Sequence, residues 1–159
     1  MPARACGSSI ASNRVVLSSS PPPGTVVIVA DDDDDFRSVV AEALRIEGYL
    51  VSEAHDGAEL IEMLDKGTVS PDVIVADIKM PRLSGLGVLR VLGRVHWDVP
   101  VVLMTGSWDE AVSSVAGKLG AVGVLRKPFD PDDLLTAVCN ARHVVDVRAV
   151  EHRRLGTGL

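Results

Sequence analysis

The segment PDVIVADIKMP, residues 71–81, contains a short apolar run that ends on a single carboxylate. An unbroken run such as Val73 to Ala76 is typical of a parallel strand that is covered on both faces. Asp77 follows the run directly, and Pro81 prevents a regular continuation. Because ligands bind at the carboxyl ends of strands in open α/β sheets, Asp77 is predicted to lie in a functional crevice. From this strand alone, a turn-capping role for Asp77 is equally well supported.

The bulk composition limits the class of protein. A length of 159 residues suffices for one domain with a hydrophobic core. The net charge of -6 argues against direct DNA binding, which favours a basic surface. Cys6 and Cys139 are too few for a disulfide framework, so a reducing, cytoplasmic setting is expected. No apolar run approaches the roughly 20 residues that span a bilayer, so no membrane association is expected.

Three regions follow from the distribution of breakers and apolar residues. Residues 1–24 are rich in serine and end in Pro21-Pro22-Pro23-Gly24, which predicts a disordered N-terminal tail. Residues 25–145 form the predicted folded domain. Residues 146–159 are predicted to be a C-terminal tail or an extension of the last helix, and they are too short for a helix-turn-helix domain.

Within the domain, strand patterns alternate with helix patterns five times. Strands are predicted over residues 25–30, 49–54, 73–76, 99–104 and 121–125. Asp34 and Asp35 fit the N-cap and first turn of the first helix, and Phe36, Val39, Val40, Ala43 and Leu44 its buried face. Capping-box spacing at residues 56–59 and 107–110, Ser84-Gly85 and Asp130 mark the other helix starts. Right-handed crossovers then give a parallel sheet with helices on both faces.

Reactive side chains follow four of the five strands. They are Asp31 and Asp32 after the first strand, Asp77 after the third, Thr105 after the fourth and Lys127 after the fifth. Three carboxylates in one crevice require either a retained proton or a cation among them. Oxygen ligands without His or Cys favour Mg²⁺. Such a cation beside a lysine and a hydroxyl suits a phosphoryl group that Asp77 could accept as an aspartyl phosphate.

Four motifs together resemble the receiver domain of two-component response regulators. They are VIVADD at 27–32, DIKMP at 77–81, TG at 105–106 and KPF at 127–129, in family-like order and spacing over roughly residues 25–145. The resemblance implies a flavodoxin-like, doubly wound α/β fold: a five-stranded parallel sheet in the order 2-1-3-4-5 with five helices. Chemotaxis-type receivers share that strand order, with a ligand crevice between strands one and three.

The resemblance also implies roles for particular residues. Asp77 would accept phosphate from a phosphohistidine on a sensor histidine kinase or phosphotransfer protein. Asp31, Asp32, Asp77 and the backbone carbonyl of Lys79 would hold Mg²⁺, and Thr105 and Lys127 would contact the phosphoryl group. A cis Lys127-Pro128 bond is expected. The implied protein is a signalling module that catalyses only its own phosphorylation and dephosphorylation.

One position departs from the family pattern, and several questions stay open. The family usually carries an aromatic residue three positions before the lysine, where this chain has Val124. Coupling to the face formed by the fourth helix, fifth strand and fifth helix is therefore expected to be altered, and a homodimer through that face stays open. Two other functions are considered: a receiver-like scaffold without phosphotransfer, and an Asp-nucleophile phosphohydrolase of the haloacid-dehalogenase type built on Asp31-Xaa-Asp33.

Overall fold

The computed structural model describes the backbone of residues 9–11, 14–16 and 20–155, and side chains over residues 20–145. Five strands alternate with five helices after residue 25. The strands are β1 (Val26–Ala30), β2 (Leu50–Ala54), β3 (Val73–Asp77), β4 (Val101–Thr105) and β5 (Gly123–Arg126). The helices are α1 (Asp34–Ile46), α2 (Gly57–Asp65), α3 (Gly85–Arg94), α4 (Glu110–Lys118) and α5 (Pro131–Leu155).

The five strands form one parallel sheet in the order β2-β1-β3-β4-β5. This arrangement confirms the predicted flavodoxin-like α/β fold with strand order 2-1-3-4-5. Ala30 at the end of β1 pairs with Ala54 and Ala76, and Asp77 pairs with Met104. The carboxyl ends of the strands therefore lie at one edge of the sheet, where the reactive side chains follow.

Alternate residues of the central strands contribute to two hydrophobic cores, one on each face of the sheet. One face packs on α2 and α3 through residues that include Ile28, Ile74, Leu103, Leu60, Val88 and Leu92. The other face packs on α1 and α5 through Val27, Val75, Val102, Leu44, Leu134 and Val138. Every residue of β3 and β4 is buried, whereas β2 is partly exposed, as expected for an edge strand. The two cores fix the strand ends rigidly from both sides.

The buried face of α1 differs from the prediction at one position. Val39 is 67% exposed, while Arg37 is only 6% exposed and shares the inner face with Val40 and Leu44. A guanidinium is tolerated there because its donors reach the Asp31 carbonyl, with further ionic contacts nearby. Hydrophobic spacing alone cannot separate two adjacent valines, and it assigned Val39 to the wrong face.

Helix starts are confirmed at two positions and displaced at two others. Asp56 caps α2 and Ser84 caps α3, as predicted. Asp33, rather than Asp34, caps α1 through a 3.0 Å bond from the Phe36 N–H. Asp109, rather than Ser107, caps α4, because both backbone groups of Ser107 bond the Thr105 hydroxyl and keep Ser107 in the loop. The displaced caps both adjoin the crevice.

The chain termini are described in part. Ser9–Ala11 and Arg14–Val16 form a short antiparallel pair within the segment predicted as a tail, whereas residues 1–8, 12–13 and 17–19 lie outside the described residues. α5 continues beyond the predicted domain end to Leu155, and residues 156–159 lie outside the described residues. Over the described part of the chain, no helix has both the length and the apolar character needed to cross a membrane.

Two glycines bring the loop after β3 against its neighbours. A Cβ on Gly85 would lie 2.5 Å from the Asp77 carbonyl oxygen, and one on Gly57 would lie 2.3 Å from the Leu83 carbonyl oxygen. Real Cβ atoms do not approach backbone oxygens so closely, so only glycine fits at either position. The starts of α2 and α3 thereby hold residues 78–84 in place beside Asp77.

Substitution of two glycines in α3 should have opposite effects on stability. Gly85→Ala is expected to lower the free energy of unfolding by roughly 1–3 kcal/mol, because the new methyl group displaces the Asp77 backbone. At Gly93 a new Cβ would meet no neighbouring side chain or packed element within 4 Å. Gly93→Ala should therefore raise the free energy of unfolding by roughly 0.5–1 kcal/mol. Urea denaturation of both variants checks the pair, and equal midpoints would contradict the close packing at Gly85.

Candidate functional site

Three carboxylates converge at the carboxyl edge of the sheet. Asp31 and Asp32 directly follow β1, and Asp77 is the last residue of β3, its immediate neighbour in the sheet. One carboxylate oxygen from each residue lies within 4.8 Å of the others. Asp31 and Asp77 are buried, whereas Asp32 is exposed. The cluster is therefore anchored in the sheet and open to solvent on one side.

Lys127 reaches the cluster from the end of β5. Its ammonium donates to Asp31 Oδ2 at 2.7 Å and to Asp77 Oδ2 at 3.2 Å. Burial alone would lower the pKa of Lys127, but the hydrogen bonds and charges of the two aspartates outweigh it and raise that pKa. The lysine is therefore held as a cation between the two strand ends. The Lys127-Pro128 peptide bond is cis, as predicted.

The cluster carries more negative charge than Lys127 neutralises. Burial, followed by repulsion from Asp31, raises the pKa of the Asp77 carboxyl, although Lys127 opposes the shift. Three carboxylates against one ammonium leave two negative charges within this group of four. That excess and the all-oxygen donor set fit a divalent cation, with Asp31, Asp32 and Asp77 as the residues able to hold it.

Two polar residues complete the edge near Asp77. The Thr105 hydroxyl, at the end of β4, is buried, donates to the Ser107 carbonyl at 2.8 Å and accepts from the Ser107 N–H at 3.1 Å. The Lys79 N–H faces Asp77 Oδ1 at 3.3 Å, and the Lys79 ammonium contacts Ser107 Oγ at 3.3 Å. The loops after β3 and β4 are thus joined across the crevice.

Comparison with known proteins identifies the family. A family model of the response regulator receiver domain matches residues 27–139, which is most of the chain. The chain belongs to the response regulator receiver family. The predicted resemblance is confirmed, and this receiver domain is a signalling module of a two-component response regulator.

Curated relatives and solved structures agree with this assignment. The receiver domain is 40% identical over 100 residues to "Response regulator MprA" of Mycobacterium ulcerans, covering 62% of this chain and 42% of that protein. It superposes on a receiver domain from Clostridium thermocellum with TM-score 0.72 and 31% identity, covering 77% of this chain and 98% of that one. It also superposes on the receiver domain of the response regulator NarL from Mycobacterium tuberculosis, with TM-score 0.70 and 30% identity. That match covers 77% of this chain and 98% of that one. The chain spans less than half the length of the curated relatives it matches.

The receiver domain also contains a buried arginine that sequence patterns did not reveal. Arg37 Nη1 donates to the Asp31 carbonyl at 2.8 Å, and the guanidinium contacts Asp34 at 2.7 Å and Glu53 at 3.3 Å. Arg37 thereby joins the end of β1 to the edge strand β2. The available signal was its spacing of three and seven residues from Val40 and Leu44, on the inner face of α1.

An ion pair between Arg82 and Asp56 fixes the loop that carries Lys79. Arg82 has a left-handed backbone, with φ 63°, and its guanidinium contacts the buried Asp56 carboxylate at 2.6 and 2.7 Å. Burial would raise the pKa of Asp56, but the Glu59 N–H and the Arg82 charge outweigh it and lower that pKa. The loop after β3 is therefore tied to the start of α2 by charge as well as by packing.

The raised pKa of Asp77 predicts the effect of neutralising this residue. An acid whose pKa is higher in the folded state than in the unfolded chain destabilises the fold once pH rises above its unfolded value of about 3.9. In the presence of EDTA, Asp77→Asn should therefore have a higher free energy of unfolding than wild type near pH 7. The difference should shrink as pH falls toward about 4.

Denaturant titrations across this pH range measure the difference. Asp35→Asn, an exposed aspartate in the first turn of α1, serves as the control and should show no such pH-dependent gain. A lower stability of Asp77→Asn at every pH would contradict a net electrostatic cost at this position.

Proposed function

We propose that Asp77 accepts a phosphoryl group in a Mg²⁺-dependent reaction and that the modified receiver domain changes its protein contacts. The observation that supports this most directly is the position of the Asp77 carboxylate. It lies at a strand end, within 4.8 Å of two further aspartates and 3.2 Å from the Lys127 ammonium. A nucleophile, a cation site and a fixed positive charge are thereby available at one edge.

The reaction begins with a phosphohistidine on a sensor histidine kinase or a phosphotransfer protein. An Asp77 carboxylate oxygen forms a bond to phosphorus while the bond from phosphorus to the donor imidazole nitrogen breaks. That nitrogen takes up a proton, and an aspartyl phosphate results. Hydrolysis by water later returns the free carboxylate and inorganic phosphate. Receiver domains of this family interact with such kinases or phosphotransfer proteins.

The metal site would use Asp31, Asp32, Asp77 and the backbone carbonyl of Lys79. When bound, Mg²⁺ would neutralise phosphoryl oxygens and the excess charge of the carboxylates. Asp31 is well suited to a fixed ligand role, since its backbone carbonyl is held by Arg37 and its Oδ1 accepts from the Asp33 N–H at 2.9 Å. The remaining side of the cluster, at Asp32, is exposed and gives access to solvent.

Lys127 and Thr105 would contact the new phosphoryl group. Lys127 already lies within hydrogen-bond distance of Asp77, so it can donate to a phosphoryl oxygen after a small movement. The Thr105 hydroxyl would have to exchange its bond to the Ser107 carbonyl for one to the phosphoryl group. That exchange would release the loop that leads to α4. Val124 in β5 supplies no large ring to follow it, so we propose a weaker coupling to the α4–β5–α5 face.

The output and setting of the whole protein are also proposals. We propose that the domain acts in the cytoplasm, through protein contacts rather than by binding DNA with its own surface. An additional homodimer contact would use the α4–β5–α5 face. The acidic cluster, Thr105 and Lys127 stand at the positions of the receiver motifs, and their presence favours phosphotransfer over a scaffold that has lost it. No observation favours a phosphohydrolase.

Phosphorylation should depend on Asp77. After incubation with Mg²⁺ and acetyl phosphate, wild type should gain the mass of one phosphoryl group, whereas Asp77→Asn should gain none because the nucleophile is absent. Intact-mass spectrometry measures the gain, and Asp35→Asn is the matched control that should behave as wild type. Equal gain in wild type and Asp77→Asn would refute this assignment and direct the search to Asp31.

Binding of Mg²⁺ should stabilise the fold through the acidic cluster. At a concentration ten times its dissociation constant, a ligand that binds only the folded state raises the free energy of unfolding by about 1.4 kcal/mol. We expect this gain in wild type and in Asp35→Asn, and a reduced gain in Asp32→Asn, which lacks one exposed ligand. Thermal denaturation with and without Mg²⁺ measures this gain in stability. A gain in Asp32→Asn equal to that of wild type would show that Asp32 is not a ligand.

A further inference from the structure

An aromatic ring covers one side of the lysine in the crevice. The Lys127 ammonium lies over the face of Phe36, 4.1 Å from the ring centroid. Phe36 in turn packs against Phe129 with their ring planes at 81° and their centroids 5.7 Å apart. Phe36 belongs to the first turn of α1, so this contact joins that helix directly to the end of β5.

The ring holds the ammonium without competing for its hydrogen bonds. An ammonium has three N–H donors, and those of Lys127 reach Asp31 and Asp77. The negative face of an aromatic ring attracts a cation within about 6 Å, and the attraction grows when water is excluded. Phe36 therefore restricts the side from which Lys127 approaches and leaves its donors directed at the carboxylates.

Phe36 is itself tied to Asp31 by two hydrogen bonds, each from a backbone N–H to a side-chain carboxylate. The Phe36 N–H donates to Asp33 Oδ1 at 3.0 Å, and the Asp33 N–H donates to Asp31 Oδ1 at 2.9 Å. Asp31 Oδ2 then accepts from Lys127. The four residues form a closed circuit in which the position of the ring depends on the same carboxylate that the lysine contacts.

We infer that Phe36 is a positioning residue for phosphoryl transfer, which holds the Lys127 ammonium beside Asp77 through the face of its ring. This inference rests on the proposed function. An aliphatic side chain of similar size would fill the same space between α1 and Phe129 but would offer no negative face to the ammonium. The contribution of Phe36 should therefore follow the electron density of its ring and not only its volume.

Fluorinated phenylalanines separate these two contributions, because fluorine withdraws charge from the ring face with little change in shape. The chain contains two phenylalanines, and the second, Phe129, is the matched control position. We would place mono-, di- and trifluorophenylalanine at each site in turn and measure the rate of phosphorylation by acetyl phosphate at saturating Mg²⁺. Stepwise slowing is expected at Phe36, reaching about two- to tenfold overall, with a flat series at Phe129.

Two variants extend the test. Phe36→Leu should slow phosphorylation at least as much as the trifluoro ring, while the dissociation constant for Mg²⁺ changes less than twofold. In a Lys127→Met background the Phe36→Leu change should have no further effect on the rate, because the cation that the ring holds is absent. A flat series at Phe36, an equal series at Phe129 or an undiminished Phe36 effect in the Lys127→Met background would overturn the inference.

A measurement that needs no phosphoryl transfer keeps the two proposals distinguishable. Protons on the Lys127 side chain should show upfield ring-current shifts in NMR spectra of wild type, and these shifts should disappear in Phe36→Leu. If wild type gains no phosphoryl group but the shifts are lost in Phe36→Leu, the proposed function fails while the role of Phe36 in placing the lysine stands. Unchanged lysine shifts would refute that role.

Discussion

The bond between the Lys127 ammonium and Asp31 Oδ2, 2.7 Å long, is the contact around which the crevice is built. Asp31 is fully buried, and an unpaired carboxylate in that position would be costly. The fold provides a partner for this carboxylate, because Lys127 directly follows β5 and lies beside the end of β1. The same ammonium then reaches Asp77, so one cation compensates two strand ends and still leaves the cluster short of positive charge.

Several contacts around the cluster hold the backbone of its residues in addition to the bonds that reach their carboxylates. Arg37 holds the carbonyl of Asp31, and the lack of a side chain at Gly85 leaves room for the carbonyl of Asp77. Arg82 anchors the loop between β3 and α3. The backbone of the two buried aspartates is thereby fixed, while the exposed Asp32 leaves one side of the cluster open to solvent. The strain in the left-handed backbone of Arg82 is offset by its contacts with the buried Asp56 carboxylate.

Sequence patterns predicted the layers of this fold well because the strands are short, apolar and bounded by breakers. The residues that gather at the crevice were also predictable, since parallel strands end at one edge. Side chains that act through tertiary contacts were not predictable. Arg37 has the spacing of the inner face of α1, but its charge is typical of a surface residue, and nothing local distinguishes Phe36 from a core ring. The Asp31 carboxylate bonds the Asp33 N–H, and the Thr105 hydroxyl bonds the Ser107 backbone. These contacts fix the loops that lead into the caps at Asp33 and Asp109.

The circuit through Lys127 also bears on how the protein is made. Asp31 and Lys127 are 96 residues apart, and Asp77 and Lys127 are 50 apart. A nascent chain on the ribosome therefore exposes its acidic residues long before the ammonium that compensates them has been synthesised. The crevice can assemble only after β5 has joined the sheet, when α5 is the one helix of the domain still to be added.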